Sequence, residues 1–276
     1  MTYCVGIEVD EGLVFAADTR TSASFDDVRV YRKMHIFEWP GDRVFVIMSA
    51  GNLATTQLTV SRLQRDAADP NATRSLRSFS HLYEAAEYIG DVLVASQAKV
   101  GEDAQSQGVN VQSTLILGGQ IAGERPGLYM IYPLGNCIAT SPETPYLQIG
   151  ESKYGKPILD RILRPESTLE DAARCALVSL DSTIRSNLSV GMPIDMALLR
   201  AGDLKITQRM RLEADTPLYA EIHDTWSRKL EAAMHSLPRF PWEPERDAEA
   251  DESVLPPLPP RRIAPKQDPA EAQGQQ

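Results

Sequence analysis

The chain has 276 residues, of which 42% are hydrophobic and 24% charged, and a formal net charge of −10. That length and apolar content suit one large globular domain or two small ones with a sizeable core. The acidic balance argues against a general nucleic-acid or anionic-membrane surface, since both partners are polyanions.

Cys4, Cys137 and Cys175 lie far apart without a CxxC pairing, and His35, His81, His223 and His235 show no HExxH-type spacing. Neither a disulfide framework, a metal site nor a bound cofactor is expected. The N-terminus has no basic and apolar leader, and no run of about 20 apolar residues occurs, so a cytoplasmic protein without a membrane partner is expected.

In chain order, residues 3–9 (YCVGIEV) and Leu13–Ala17 flank a turn at Glu11-Gly12 and read as a β-hairpin. His35–Trp39, the turn Pro40-Gly41-Asp42 and Arg43–Ala50 form a second pair. Four strands are therefore expected before the first helix. From Asn52 the pattern turns helical, and Ser80–Lys99 places Leu82, Ala86, Ile89, Leu93 and Ser96 on one face.

Strand patterns return at Ser113–Gly119, Leu128–Pro133 and Cys137–Thr140. Ser167-Thr168-Leu169-Glu170 then reads as a capping box opening a helix with Ala173, Ala176, Leu177, Leu180 and Ile184 on one face. Ile194–Arg200 and Leu204–Arg211 form a last hairpin. Thr216–Leu237 is an amphipathic helix with Pro217 at its first position and Leu218, Ile222, Trp226, Leu230 and Met234 in a stripe, able to cover its own core or a neighbour. Nine of the 19 prolines fall in residues 238–276, which read as a disordered tail behind a domain spanning 2–237. Two runs of strands, each followed by helices, suit two stacked sheets with helices outside, an α+β sandwich.

Thr2 follows the initiator methionine directly. Removal of Met1 would leave a free α-amine beside a hydroxyl, and an amine with a reference pKa of about 7.7–8.0 is suited to take the hydroxyl proton near neutral pH. One residue would then supply nucleophile and base. Asp18 follows the first hairpin and Lys33 precedes the third expected strand, each at an edge from which a side chain could reach the N-terminus. An ammonium at Lys33 would depress a neighbouring amine and hydroxyl, and Asp18 would hold it by a charge-assisted hydrogen bond.

Thr2, Asp18 in AADTR and Lys33 in YRKMHIF, together with SAGNLATTQ and SLDSTIRSNLSVGMPID, resemble a proteasome-type β subunit. The resemblance is closest to the bacterial Anbu (ancestral β subunit) branch of the N-terminal nucleophile hydrolase superfamily and covers roughly residues 2–211. It implies a four-layer α-β-β-α sandwich and a threonine-type peptidase or amide hydrolase. Thr2, Asp18 and Lys33 would be catalytic, Gly51 after Ser49-Ala50 would supply the oxyanion N–H, and Ser189 would support the Thr2 amine. Thr21, Ser22 and Ser49 would bind an extended peptide or amide substrate by its backbone.

Two positions depart from the family pattern: Ser186 falls where an aspartate is common, and Glu151 where a serine is common. The resemblance also implies a homo-oligomer, as a ring or an open helical assembly. An ATPase, or ATP-grasp and transglutaminase-like proteins, are candidate partners. A non-proteolytic amidase is the nearest alternative. An interaction protein acting through the Pro-rich Leu255–Arg262 (LPPLPPRR) is the other.

Overall fold

Strands β1 (Tyr3–Val9) and β2 (Gly12–Asp18) are almost wholly buried. A strand covered on both faces carries a continuous apolar run in place of alternation. The computed structural model, which describes residues 2–22, 28–104 and 109–243, shows what covers them.

One antiparallel sheet has the order β10 (Tyr146–Gly150), β1, β2, β11 (Ile194–Arg200), β12 (Gln208–Leu212). A second runs β5 (Met34–Trp39), β6 (Arg43–Gly51), β7 (Ser113–Ile121), β8 (Gly127–Ile131), β9 (Cys137–Ala139). Between them lies an apolar layer that includes Cys4, Phe15, Val46, Met48, Ile116 and Leu128.

The outer face of the first sheet packs Tyr3, Val5 and Val14 with Leu159 of helix α3 (Lys156–Ile162) and Ala172, Ala176 and Leu180 of helix α4 (Leu169–Ser186). The outer face of the second packs Phe45, Ile47 and Leu117 with Leu63 of helix α1 (Leu53–Ala68) and Ala86, Ile89 and Leu93 of helix α2 (Leu82–Ala104). The fold is the expected α-β-β-α sandwich.

Details differ from the sequence reading. Among the described residues six strands, not four, precede α1, because β3 (Arg20–Ser22) and β4 (Val28–Val30) form a small separate ribbon. Strand β10 and helix α3 are likewise elements that the sequence pattern does not lead one to expect.

The cap of α4 is Thr168, not Ser167: its Oγ1 accepts from Asp171 N at 3.1 Å, while Ser167 Oγ accepts from Arg164 N in the preceding turn. Strand β12 starts at Gln208 because the turn runs on past Leu204, whose φ is +49°.

Pro217 opens helix α5 (Pro217–His235) as expected. Tyr219 and Ile222 pack on the α4 side of the first sheet, and Asp181 of α4 accepts from Tyr219 OH at 2.7 Å and pairs with His223 Nδ1 at 2.7 Å. Residues up to Asp224 form one compact unit and those from Thr225 a second. Within the second unit Leu230, Met234 and Leu237 are exposed, and Phe240 stacks on Trp242 with ring centroids 4.6 Å apart. The Pro-rich tail from residue 244 onward, with Leu255–Arg262, and Met1 lie outside the described residues. Among the described residues no helix is long and apolar enough to cross a membrane.

Candidate active site

The start of β1, the end of β2, the start of β5 and the end of β6 meet at one end of the sandwich. Antiparallel registers bring them there: Cys4 pairs with Ala17 and Met34 with Met48. Across the two sheets, the Cys4 thiol points at the Ser49 carbonyl at 3.8 Å.

Asp18, the last residue of β2, is fully buried. Its Oδ1 accepts from Lys33 Nζ at 2.7 Å and from the backbone N–H of Tyr3 at 2.9 Å, and its Oδ2 from Gly191 N at 3.3 Å. Burial pushes the Asp18 carboxyl above the ordinary carboxylate range, opposed by the Lys33 ammonium and the two N–H groups.

Lys33 is 5% exposed, and its Nζ also donates to the Arg20 carbonyl at 2.6 Å. An ammonium has three donors. Two are used here, which leaves a third for a neighbouring group. The Lys33 carbonyl in turn accepts from Ser49 N at 3.1 Å, tying β6 to the same network.

Thr2 is half-buried directly before Tyr3, so it sits one residue from the N–H that shares a carboxylate oxygen with Lys33. Its carbonyl accepts from Glu151 N at 2.7 Å. Gly150 makes that approach possible: at φ +84°, a Cβ there would lie 1.9 Å from the Thr2 oxygen. Burial also pushes the Cys4 thiol far up, so it stays protonated and is no rival nucleophile.

The other expected residues surround this pair less directly. Gly51 ends β6 at φ +117°, and Asn52 behind it caps α1, its Oδ1 accepting from Thr55 N at 3.1 Å. Ser49 is buried within the network, whereas Gly51 makes its close backbone approach to Gln112 and Ser113. Thr21, half-buried, and Ser22 lie in β3, which among the described residues pairs with β4 alone and so has one edge without a strand beside it. The Ser22 side chain is outside the described residues. Ser189 is half-buried in the loop before β11, and its N–H donates to Asn187 Oδ1 at 2.9 Å.

Four participants escaped the sequence reading. Tyr3 and Gly191 act through backbone N–H groups, which carry no side-chain signal. Arg20 acts through its carbonyl, and its Nε is buried without a hydrogen-bond partner. Asn187, the C-cap of α4, donates from Nδ2 to Glu151 Oε2 at 2.8 Å. Ser186, the last residue of α4, is exposed. Among the described residues no group of three or more His, Cys, Asp or Glu side chains is placed to hold a metal ion.

Comparison with known proteins bears on the family and the fold. The family described as Proteasome subunit matches residues 2–199. Anbu (ancestral beta-subunit) from Yersinia bercovieri superposes with a TM-score of 0.81 at 43% identity, over 86% of this chain and 99% of that one. The helical assembly of the Anbu complex from Pseudomonas aeruginosa gives 0.82 at 42%, over 87% and 98%. Proteasome subunit beta from Haloquadratum walsbyi is 26% identical over 217 residues, 77% of this chain and 79% of its own length.

Proposed function

Because the chain belongs to the proteasome subunit family, alongside the Anbu proteins, we propose that it is a threonine-type amide hydrolase whose nucleophile and base are both Thr2. One observation carries the reading: a single oxygen of buried Asp18 holds both the Lys33 ammonium and the N–H that follows Thr2. That oxygen fixes the chain terminus beside a desolvated cation, and a cation there favours the alkoxide of a nearby hydroxyl.

With Met1 removed, Thr2 Oγ attacks the carbonyl carbon of a peptide or amide, and its proton passes to the Thr2 amine. The third N–H of Lys33 steadies the oxygen as it attacks. The Gly51 N–H receives the developing oxyanion. As the C–N bond breaks, the ammonium returns its proton to the leaving nitrogen. Water then adds to the ester, gives a proton to the amine, and the C–O bond breaks to release acid and regenerate the hydroxyl.

Thr21, in β3, supplies polar backbone beside the site, which suits an extended substrate read by its main chain, whereas the main chain of Ser49 is already engaged by Lys33 and Cys4. Ser189 belongs to the support of the amine through Asn187. The related Anbu complex from Pseudomonas aeruginosa forms a helical assembly, and exposed Leu230, Met234 and Leu237 offer apolar area to a second copy here. The active form is therefore a homo-oligomer; a monomeric mass by light scattering at micromolar concentration contradicts that part.

The test of the chemistry is acylation by a β-lactone, whose ring opens when an activated hydroxyl attacks its carbonyl. Intact mass should show Met1 absent and one lactone added per wild-type chain. Thr2→Ala should add none, with its melting temperature unchanged. Equal labelling of Thr2→Ala, or a labelled chain that retains Met1, contradicts the assignment.

A further inference from the structure

Glu151 is a buried carboxylate that the mechanism above leaves unused. The residue is 8% exposed, and its own N–H holds the Thr2 carbonyl at 2.7 Å. A carboxylate has about four lone-pair sites. Asn187 Nδ2 fills one at 2.8 Å on Oε2, and among the described residues the cation beside it is Lys153, whose Nζ stands 3.7 Å from Oε1 on a side chain 68% exposed. A buried carboxylate with one hydrogen bond and one loose, solvated cation is under-compensated.

The group that would complete it is the one released when Met1 is removed. Asn187 is held as the C-cap of α4, its N–H donating to Thr183 O at 2.8 Å, and the same side chain accepts from Ser189 N. Glu151, Asn187 and Ser189 thus form one rigid chain of hydrogen bonds anchored on the residue whose amine must act as base.

We propose that Glu151 is a positioning residue for the Thr2 α-amine. Its carboxylate accepts a hydrogen bond from the ammonium, orients the amine lone pair toward Oγ, and holds the transferred proton until the leaving nitrogen takes it. This rests on the threonine-nucleophile reading. In that role the carboxylate raises the amine pKa, against the opposite pull of Lys33. The other charged side chains of this network are Asp18 and Lys33, which pair with each other, Arg20, which lies against Gly191, and Lys153 beside Glu151.

The experiment measures β-lactone acylation from pH 5 to 9 in wild type, Thr2→Ala, Glu151→Gln and Glu151→Asp. Each is made with a removable fusion cleaved directly before Thr2, so that the amine is free whatever the variant does to Met1 removal. Glu151→Gln should move the rising limb of the pH–rate profile about one unit or more lower, because the ammonium loses its counter-charge. Its plateau should fall about tenfold as the proton acceptor loses orientation. Glu151→Asp, which keeps the charge, should keep the limb near that of wild type.

A limb unmoved in Glu151→Gln, with Thr2→Ala unreactive, overturns this proposal alone. Labelling of Thr2→Ala overturns the reading beneath it. If a variant fails to fold, the wild-type protein decides: by carbon-13 NMR the Thr2 methyl and the Glu151 carboxyl carbon should shift together through the amine titration. An unmoved Glu151 carboxyl overturns the proposal.

Discussion

Asp18 and Asp181 are both buried aspartates, each receiving two close donors on one oxygen, yet they occupy different kinds of surroundings. Around Asp18 the donors are a buried ammonium and main-chain N–H groups from β1 and the loop before β11. Around Asp181 they are the tips of two side chains of one helix, Tyr219 and His223, and the His223 side chain is 40% exposed. Backbone donors cannot rotate away, so Asp18 fixes where strands and chain terminus lie. Side-chain tips can, so Asp181 acts as a clasp for the start of α5. The same residue type is a site component in one place and a structural fastener in the other.

Lys33→Ala should break the first arrangement most severely. It leaves a buried aspartate without its cation, which costs about 3–5 kcal/mol of stability, and β-lactone acylation should fall by about 10²-fold or more. A variant with wild-type acylation would show that the pair is only structural.

Asp181→Ala should break the second arrangement alone. Urea unfolding should lose about 1–3 kcal/mol as Tyr219 and His223 lose their acceptor, while acylation stays within about twofold. A loss of acylation matching that of Lys33→Ala would erase the distinction.

The pH dependence sharpens the contrast further. Burial raises the Asp18 carboxyl, so on acidification it takes a proton at a higher pH than an ordinary carboxylate and releases Lys33. Acylation should therefore show a second, steeper acid loss beginning above the usual range of about 4, in reversible measurements on folded protein. A profile governed by the amine alone down to pH 4 would contradict this.

The smallest effect is expected from Arg174→Ala. Its pair with Asp171 spans 2.6 Å between side chains 65% and 61% exposed. Water screens such a pair, and stability should change by no more than about 0.5 kcal/mol. A larger loss would mean that burial is not what separates these ion pairs.

By itself the sequence determined the hairpins and the long helices, because continuous apolar runs such as RVFVIMSA and the face of Leu82, Ala86, Ile89 and Leu93 can be satisfied only by burial, while the four-layer order came from the family resemblance. It also pointed to Thr2, Asp18 and Lys33, through the resemblance to proteasome-type β subunits that the three carry together. Although β9 with three residues and β1 with seven were legible, so that length alone is not the reason, the elements β3, β4, β10 and α3 were not. Nor were the contributions of Tyr3, Gly191 and Arg20, because main-chain donors and acceptors are the same in every residue. Only the tertiary structure decided that Asp18 receives Lys33 and the N–H behind Thr2 on one oxygen, and that Glu151 reaches Ser189 through Asn187. These partners lie up to 36 residues apart in the chain, and nothing local to either end specifies a distance that sheet register and stacking impose.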